Sequence, residues 1–318
     1  CRSTNDGPNT VGWRARHGAR RSEGDNALPE ARDESSVTAN TEIASDWGEW
    51  LPRAVAEAAP DGLSLWYLGC NGFAVKASDG TTLWIDPYLG TGDPPRTVRM
   101  VPVPFHPSDV READGVLATH EHTDHVHGPS QAPILAETGT TLYAADDSLA
   151  VAREAESWTD NWDVSDDQFT EVTEGDSFAV GGIHIDVVEV SDPDATHPVG
   201  YVLDHDGTTV FHGGDTKPSD SFTAVGESYD IDLAVVAFGS VGEIPDSDTG
   251  VPTETKWYCD ENEAVAVARA LEADTLLPSH WDMWKGLTAD PTALHDHVRG
   301  FDYPRRLEVV EIGDRVDL

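Results

Sequence analysis

The sequence is poor in lysine, methionine and cysteine, and it lacks any long apolar run. Of 318 residues, four are lysine (Lys76, Lys217, Lys256, Lys285), two methionine and three cysteine. Cys1, Cys70 and Cys259 are too few for a disulfide framework, which points to a reducing compartment, with the cytoplasm as the default. No apolar stretch approaches the roughly 18 residues that cross a bilayer, and the N-terminal stretch has no secretory apolar segment, so neither a transmembrane helix nor a membrane partner is expected. Positive charge is scarce as well. Twenty Lys and Arg face 59 Asp and Glu, a net charge of -39, which repels nucleic acid and argues against it as a partner.

What is present describes a folded protein. Hydrophobic residues make up 38% of the chain and there are ten tryptophans, enough for a sizeable core. The acid is dispersed, with no block of five like charges, so it does not read as a disordered acidic tail. This acidic, lysine-poor composition is similar to that of haloarchaeal cytosolic proteins, whose surfaces stay hydrated in concentrated salt. Residues 1–32 differ, holding six of the sixteen arginines against four acids, about +2. The segment 1–44 therefore reads as a disordered N-terminal extension. Whether it is native is open, because the chain starts at Cys1 and its only methionines are Met100 and Met283.

Residues 45–318 read as one domain. "SDWGEWLPRAVAEAAP" suggests a short helix with Ser45 or Asp46 near its cap. From Leu63 onward strand-like runs recur between turn residues, among them "LSLWYLG", "TTLWIDPY", "GVLATH", "IHIDVVEV", "TTVFHGGD", "TLLPSH" and "LEVVEIGDRV". Helical patterns at 261–273 and 291–300 fall between them, so the fold class expected is layered α/β.

The chemistry concentrates in "ATHEHTDHVHG", residues 118–128. In an extended chain His120, His122 and Asp124 point one way and His125 the other, so one loop could feed two adjacent ions. Imidazole and carboxylate suit zinc, manganese or iron, and the lack of clustered thiolates argues against a Cys-rich structural zinc site. Other runs end in a ligand type just past a strand: Asp86, Asp215 and His280; His197 precedes one. Together His120, His122, Asp124, His125, His197, Asp215 and His280 are enough for two divalent ions with Asp215 bridging. His127, His184 and His212 read as supporting residues, His212 orienting a neighbour near Asp215. His17, His106, His205, His295 and His297 read as solvated or capping.

"THEHTDH", His197, "HGGDT" and "PSH" together resemble the metallo-β-lactamase fold superfamily, with its HxHxDH hallmark. "VLATHEHTDH", "AFGSVGEIPD" and "PSHWDMWKGLTADP" look most like the L-ascorbate-6-phosphate lactonase group. The resemblance spans about Leu63 to His297 and implies an αββα sandwich of two mixed sheets with the metal site at one edge. It implies one ion on His120, His122 and His197, another on Asp124, His125 and His280, Asp215 between them, and Asp86 supporting a ligand histidine. Many relatives also carry a histidine in the first turn, where "LGCNGF" has Cys70. Lactamases proper have Cys where Asp215 stands, and flavodiiron proteins replace the histidine at His122 by Glu. The 65 positions between Asp215 and His280 are too few for an added nuclease domain, and the 38 after His280 leave little room for a glyoxalase-type helical domain.

The activity so implied is metal-dependent hydrolysis of a small molecule. Two ions about 3.5 to 4 Å apart yield a hydroxide near neutral pH. It would attack a carbonyl while Asp124, the catalytic candidate, orients it and shuttles its proton. A lactone or sugar-phosphate lactone is the leading substrate. The alternatives are a phosphodiesterase of the same fold and, from another class, a non-catalytic metal-binding or sensing module. Arg96, Arg99, Lys217 and Lys285 are candidates to clamp an anion, with pairing to surface acid equally open, and Trp284 is a candidate pocket wall. Self-association is left open.

Overall fold

Alternation of apolar side chains along the strands sets the layers. The computed structural model describes residues 43–318. The extension expected over 1–44 therefore lies, except for its last two residues, outside the described residues, as do Cys1 and His17. Chain order gives β1 (Leu63–Gly69), β2 (Gly72–Ala77), β3 (Thr82–Ile85), β4 (Gly115–Leu117), β5 (Leu142–Ala144) and β6 (Phe169–Glu171). Next come β7 (Ser177–Val180), β8 (Ile183–Glu189), β9 (Val199–His205), β10 (Thr208–His212) and β11 (Leu233–Ala237). They are followed by β12 (Gly242–Pro245), β13 (Pro252–Thr255), β14 (Thr275–Ser279), β15 (Arg306–Leu307) and β16 (Arg315–Asp317).

Two seven-stranded sheets result, ordered β16-β1-β2-β3-β4-β5-β6 and β15-β14-β11-β10-β9-β8-β7, and β12 and β13 form a separate hairpin. Both sheets are mixed in the same way. β16, β1, β2 and β3 are antiparallel and β3 to β6 parallel, while β7 to β10 are antiparallel and β10, β11, β14 and β15 parallel.

Period 2 sorts each strand between two cores. Leu63, Leu65 and Tyr67 of β1 meet Ile185, Tyr201, Val210 and Val235 of the other sheet in the central core. Trp66 and Leu68 point away, into an outer layer with α1 (Trp50–Glu57), α2 (Gly128–Thr138), α3 (Asp146–Ala150) and α4 (Trp158–Asn161). On the far side, Ala234 and Val236 of β11 pack under α5 (Ser221–Ser228), α6 (Glu261–Ala270) and α7 (Leu294–Val298). Each fully buried Leu, Val or Phe contributes about 1.5 to 3 kcal/mol, so the four layers hold together by burial on both faces of each sheet. The αββα sandwich is thus the observed architecture.

Several local expectations need correction. α1 begins at Trp50 after Glu49, with no side-chain cap. Ser45 and Asp46 instead hold the preceding turn, Asp46 accepting from the Val103 amide at 2.8 Å and Ser45 from the Trp47 amide at 3.1 Å. "LEVVEIGDRV" is not one strand but the short edges β15 and β16, one on each sheet. α6 starts where Asp260 accepts from the Asn262 and Glu263 amides and Glu263 returns the bond to the Asp260 amide, a capping box.

Candidate metal centre

Parallel strands end on a common edge, and side chains just past those ends converge. Here Asp86 follows β3, His120 lies three residues past β4, Asp215 three past β10, and His280 immediately follows β14. Cys70 and Asn71 lie in the turn between β1 and β2. Between β4 and α2 the chain is not extended: the His125 and Val126 amides both bond the His122 carbonyl at 2.8 Å. The simple alternation expected for 120–125 therefore fails, and Asp124 turns toward His125 and His280 rather than toward His120 and His122.

Two groups of donors form. His120 Nε2 lies 2.9 Å from His122 Nδ1 and 3.6 Å from Asp192 Oδ2, with His122 Nδ1 3.9 Å from the same oxygen. In the second group His280 Nε2 is 3.1 Å from Asp124 Oδ2, His125 Nε2 is 3.9 Å from that oxygen, and Cys70 Sγ is 3.1 Å from His280 Nε2. Asp215 stands between them, 3.4 Å from His125 Nε2 and 3.8 Å from His280 Nε2, and is also grouped with His120.

The surrounding residues fix this arrangement. Asp86 Oδ2 accepts from His125 Nδ1 at 2.8 Å, while its carboxylate takes the Thr119 amide at 2.9 Å and the Thr119 hydroxyl at 2.7 Å. A proton held on Nδ1 leaves the Nε2 lone pair facing the cluster, the tautomer a metal ligand needs. Asn71 donates to Asp215 Oδ1 at 3.1 Å and accepts from Ser279 Oγ at 2.6 Å, and its carbonyl receives His212 Nε2 at 2.9 Å. His212 thus acts on Asp215 through Asn71. Tyr258 stacks on His280 with ring centroids 4.1 Å apart. The backbone is strained around the same point, since Cys70, Asp86 and His280 have φ of 59°, 43° and 66°. Such conformations cost about 1 to 3 kcal/mol each and concentrate at functional sites.

Electrostatics ask for a cation. Asp86, Asp124, Asp192 and Asp215 meet imidazoles, and among the described residues no Lys or Arg pairs with any of them. Burial disfavours charge on His125, yet Asp215, Asp86 and Asp124 outweigh it and hold its pKa well above the usual histidine range. Burial likewise opposes ionisation of Asp124, but His125 and His280 keep it well below the usual carboxylate range. Asp192, pushed by burial and then by Asp215, rises to about 6. His125 Nε2, fully buried, has no hydrogen-bond partner among the described residues although it faces the carboxylates. Buried charge of this kind is either paired or bound to metal, so the donor set fits divalent ions.

Two expectations about the site do not match its geometry. His197 is 61% exposed at the side chain, bonds Asp146 Oδ1 at 2.7 Å through Nδ1, and receives no member of the cluster. Its backbone is held outward as well, its amide donating to Asp147 and that of Thr196 to Glu121. Asp192, three residues past β8, occupies the place expected for it. The anion-clamp candidates also separate. Arg96 lies on the wall of a cavity of about 670 Å³, over the Trp257 ring at 5.6 Å, and Trp284 lines the same cavity. Arg99 instead donates to the carbonyls of Tyr88, Gly90, Val101 and Pro102 at 2.9 to 3.2 Å, so its guanidinium is occupied by the chain itself. Lys217 and Lys285 do not line the cavity; Lys217 Nζ is buried and Lys285 exposed. The cavity opens onto His122, Asp124, Asp192 and Asp215, with Tyr88 and Tyr258 among its walls.

Imidazoles and carboxylates delivered to one edge of a two-sheet sandwich are the arrangement of metal-dependent hydrolases with the metallo-β-lactamase fold, and that is the class of this protein. A family model described as Beta-lactamase superfamily domain matches residues 81–281, and the chain belongs to that family. The chain is 27% identical over 304 residues to "Probable L-ascorbate-6-phosphate lactonase UlaG" of Escherichia coli (strain SMS-3-5 / SECEC), covering 80% of this chain and 81% of that one. In fold it is similar to Igni18, a metallo hydrolase from Ignicoccus hospitalis, with a TM-score of 0.59, 20% identity, and coverage of 80% of this chain and 97% of that one. It is also similar to CmlA, a diiron beta-hydroxylase from Streptomyces venezuelae, with a TM-score of 0.59, 17% identity, and coverage of 82% and 55%.

Proposed function

We propose that this protein opens a lactone ring, with an anionic sugar lactone such as a sugar-phosphate lactone as the substrate class. The observation that carries the reading is the cavity, which has the carboxylates of the cluster at one end and Arg96 as a cation on its wall. The likeness to a protein named as a probable L-ascorbate-6-phosphate lactonase supports the same class. His120, His122 and Asp192 would hold one divalent ion and Asp124, His125 and His280 the other, with Asp215 shared. Such ions supply Lewis acidity toward a carbonyl oxygen and lower the pKa of water, and zinc, manganese or iron suits the donors.

The chain's own residues do the rest. Asp124 is kept ionised by His125 and His280 and is 17% exposed toward the cavity, so it can accept the proton of an attacking water. As the ring C–O bond breaks, Asp124 returns that proton to the departing alkoxide, leaving a hydroxy acid. Tyr88, Trp257 and Trp284 wall the cavity and give it apolar surface beside the carboxylates. Arg96, braced on Trp257, would hold the anionic end away from the carboxylates.

The test is a substrate panel on the full chain loaded with zinc or manganese in high salt. L-ascorbate 6-phosphate and neutral sugar lactones are expected to be hydrolysed, and bis(p-nitrophenyl) phosphate to be spared. Arg96→Ala is expected to raise KM for the phosphorylated lactone about tenfold or more, with kcat for the neutral one unchanged. Turnover of the phosphodiester without any lactone would replace this reading by a phosphodiesterase.

A further inference from the structure

The ligands assigned above omit Cys70, yet its sulfur sits inside their cluster. Cys70, Asp124, His125 and His280 each place one donor atom within 4.8 Å of the others. Besides the 3.1 Å approach to His280 Nε2, the thiol lies 3.4 Å from Asp124 Oδ2. Cys70 is completely buried, and its placement is specific. Its backbone takes φ of 59°, and its carbonyl accepts the His280 amide at 2.9 Å, so the two strained residues brace each other. The Tyr67 hydroxyl supports both, 3.1 Å from the Cys70 carbonyl and accepting from the His280 amide at 3.2 Å. An independent observation marks the same point as a cation position: among the described residues His125 Nε2 is buried with no hydrogen-bond partner and is aimed between Asp124 and Asp215. Cys259 plays no such part, because its thiol is buried against the Thr216 carbonyl at 3.2 Å.

We infer that Cys70 is a thiolate ligand of the ion held by Asp124, His125 and His280. This rests on the metal-centre reading above and sharpens it. As a divalent ion binds, the S–H bond breaks, the sulfur pair forms the bond to the ion, and the proton passes to solvent. A donor set of one sulfur, two imidazoles and two carboxylates, Asp124 and the shared Asp215, is softer than an all-oxygen and nitrogen site, and it favours zinc or iron(II) over manganese or magnesium. The two ions would then sit in chemically different sites, one with sulfur and one with nitrogen and oxygen donors alone.

The experiment is X-ray absorption on the zinc-loaded full chain carrying Cys1→Ser and Cys259→Ser, so that Cys70 is the sole thiol. A zinc–sulfur shell at about 2.3 Å is expected. Replacement of zinc by cobalt(II) is expected to give a thiolate charge-transfer band in the near ultraviolet, lost on Cys70→Ser while the cobalt stays bound. Bound zinc with only nitrogen and oxygen neighbours would overturn the assignment and leave the metal centre standing. A chain that binds no divalent ion would overturn the metal centre and this ligand together. The absorption measurement needs no substitution at position 70, so it decides even where Cys70→Ser fails to fold.

Discussion

Asp192 and His197 lie five residues apart on the segment between β8 and β9, and only one of them reaches the cluster. The Asp192 carboxylate is within 3.6 to 3.9 Å of His120 and His122, whereas His197 pairs with Asp146 at the surface. His197 drew attention in the sequence because imidazoles are scarce there, 13 in all, while one more Asp among 59 acids carries no signal. Only the path of the chain, with Thr196 tied to Glu121 and the His197 amide to Asp147, decides between them. Asp192→Ala is expected to lower bound metal and to cut hydrolysis by 100-fold or more, and His197→Ala to change either by less than about twofold, read by elemental analysis and turnover. The same difficulty hid the role of Arg99. An arginine in a strand-end loop reads as an anion clamp, but this guanidinium is taken up by the backbone carbonyls of Tyr88, Gly90, Val101 and Pro102. By contrast the grouping of His120, His122, Asp124 and His125 was legible, since dense donors after an apolar strand leave few alternatives. Asp86 was legible as a strand-end donor, and its support of His125 came with the family resemblance.

Among the elements, short apolar runs bounded by turn residues made β1, β3, β8, β10 and β14 readable in advance, because each has a face on the central core and the signal is local. α2 was hidden, because Gly128, Pro129 and Pro133 all lie within it and argue against a helix. The helix persists because Ala132, Ile134 and Leu135 bury against Trp84 and its neighbours, a tertiary effect that overrides local propensity. α6 needs no such rescue, with a capping box at its start and Ala264, Val265, Val267 and Ala268 under it. Asp260→Ala removes acceptors from two first-turn amides and is expected to cost about 1 kcal/mol. In a domain of this size that appears as a fall in Tm of about 2 to 4 °C, with activity retained. The Lys256 pair with Asp260, at 2.7 Å on the surface, adds little to that figure.

For the whole molecule, the order of strands within the two sheets was beyond reach of periodicity, which reports faces and not neighbours. The αββα architecture came from the resemblance, and the sorting of most buried residues into one central and two outer cores, with a smaller fourth cluster around Cys70, Tyr88, Tyr258 and Trp284, is its physical content. Net charge acts at this scale too. A charge of -39 crowds like charges over the surface and weakens the compact state in dilute buffer. At about 1 M salt the Debye length falls to ~3 Å, so Tm is expected to rise by several degrees between 0.1 M and 1 M potassium chloride. An unchanged Tm would mean that the acid is so placed that its repulsion is already relieved.

Carboxylates and imidazoles from five strand ends converge on one candidate metal centre with Asp215 between its two halves. Metal content and lactone hydrolysis measured together on the wild type and on Asp215→Ala test it most directly. About two divalent ions per chain are expected in the wild type, with metal content reduced and hydrolysis abolished in the variant while circular dichroism shows the fold retained. Full metal occupancy and full activity in Asp215→Ala would contradict the account.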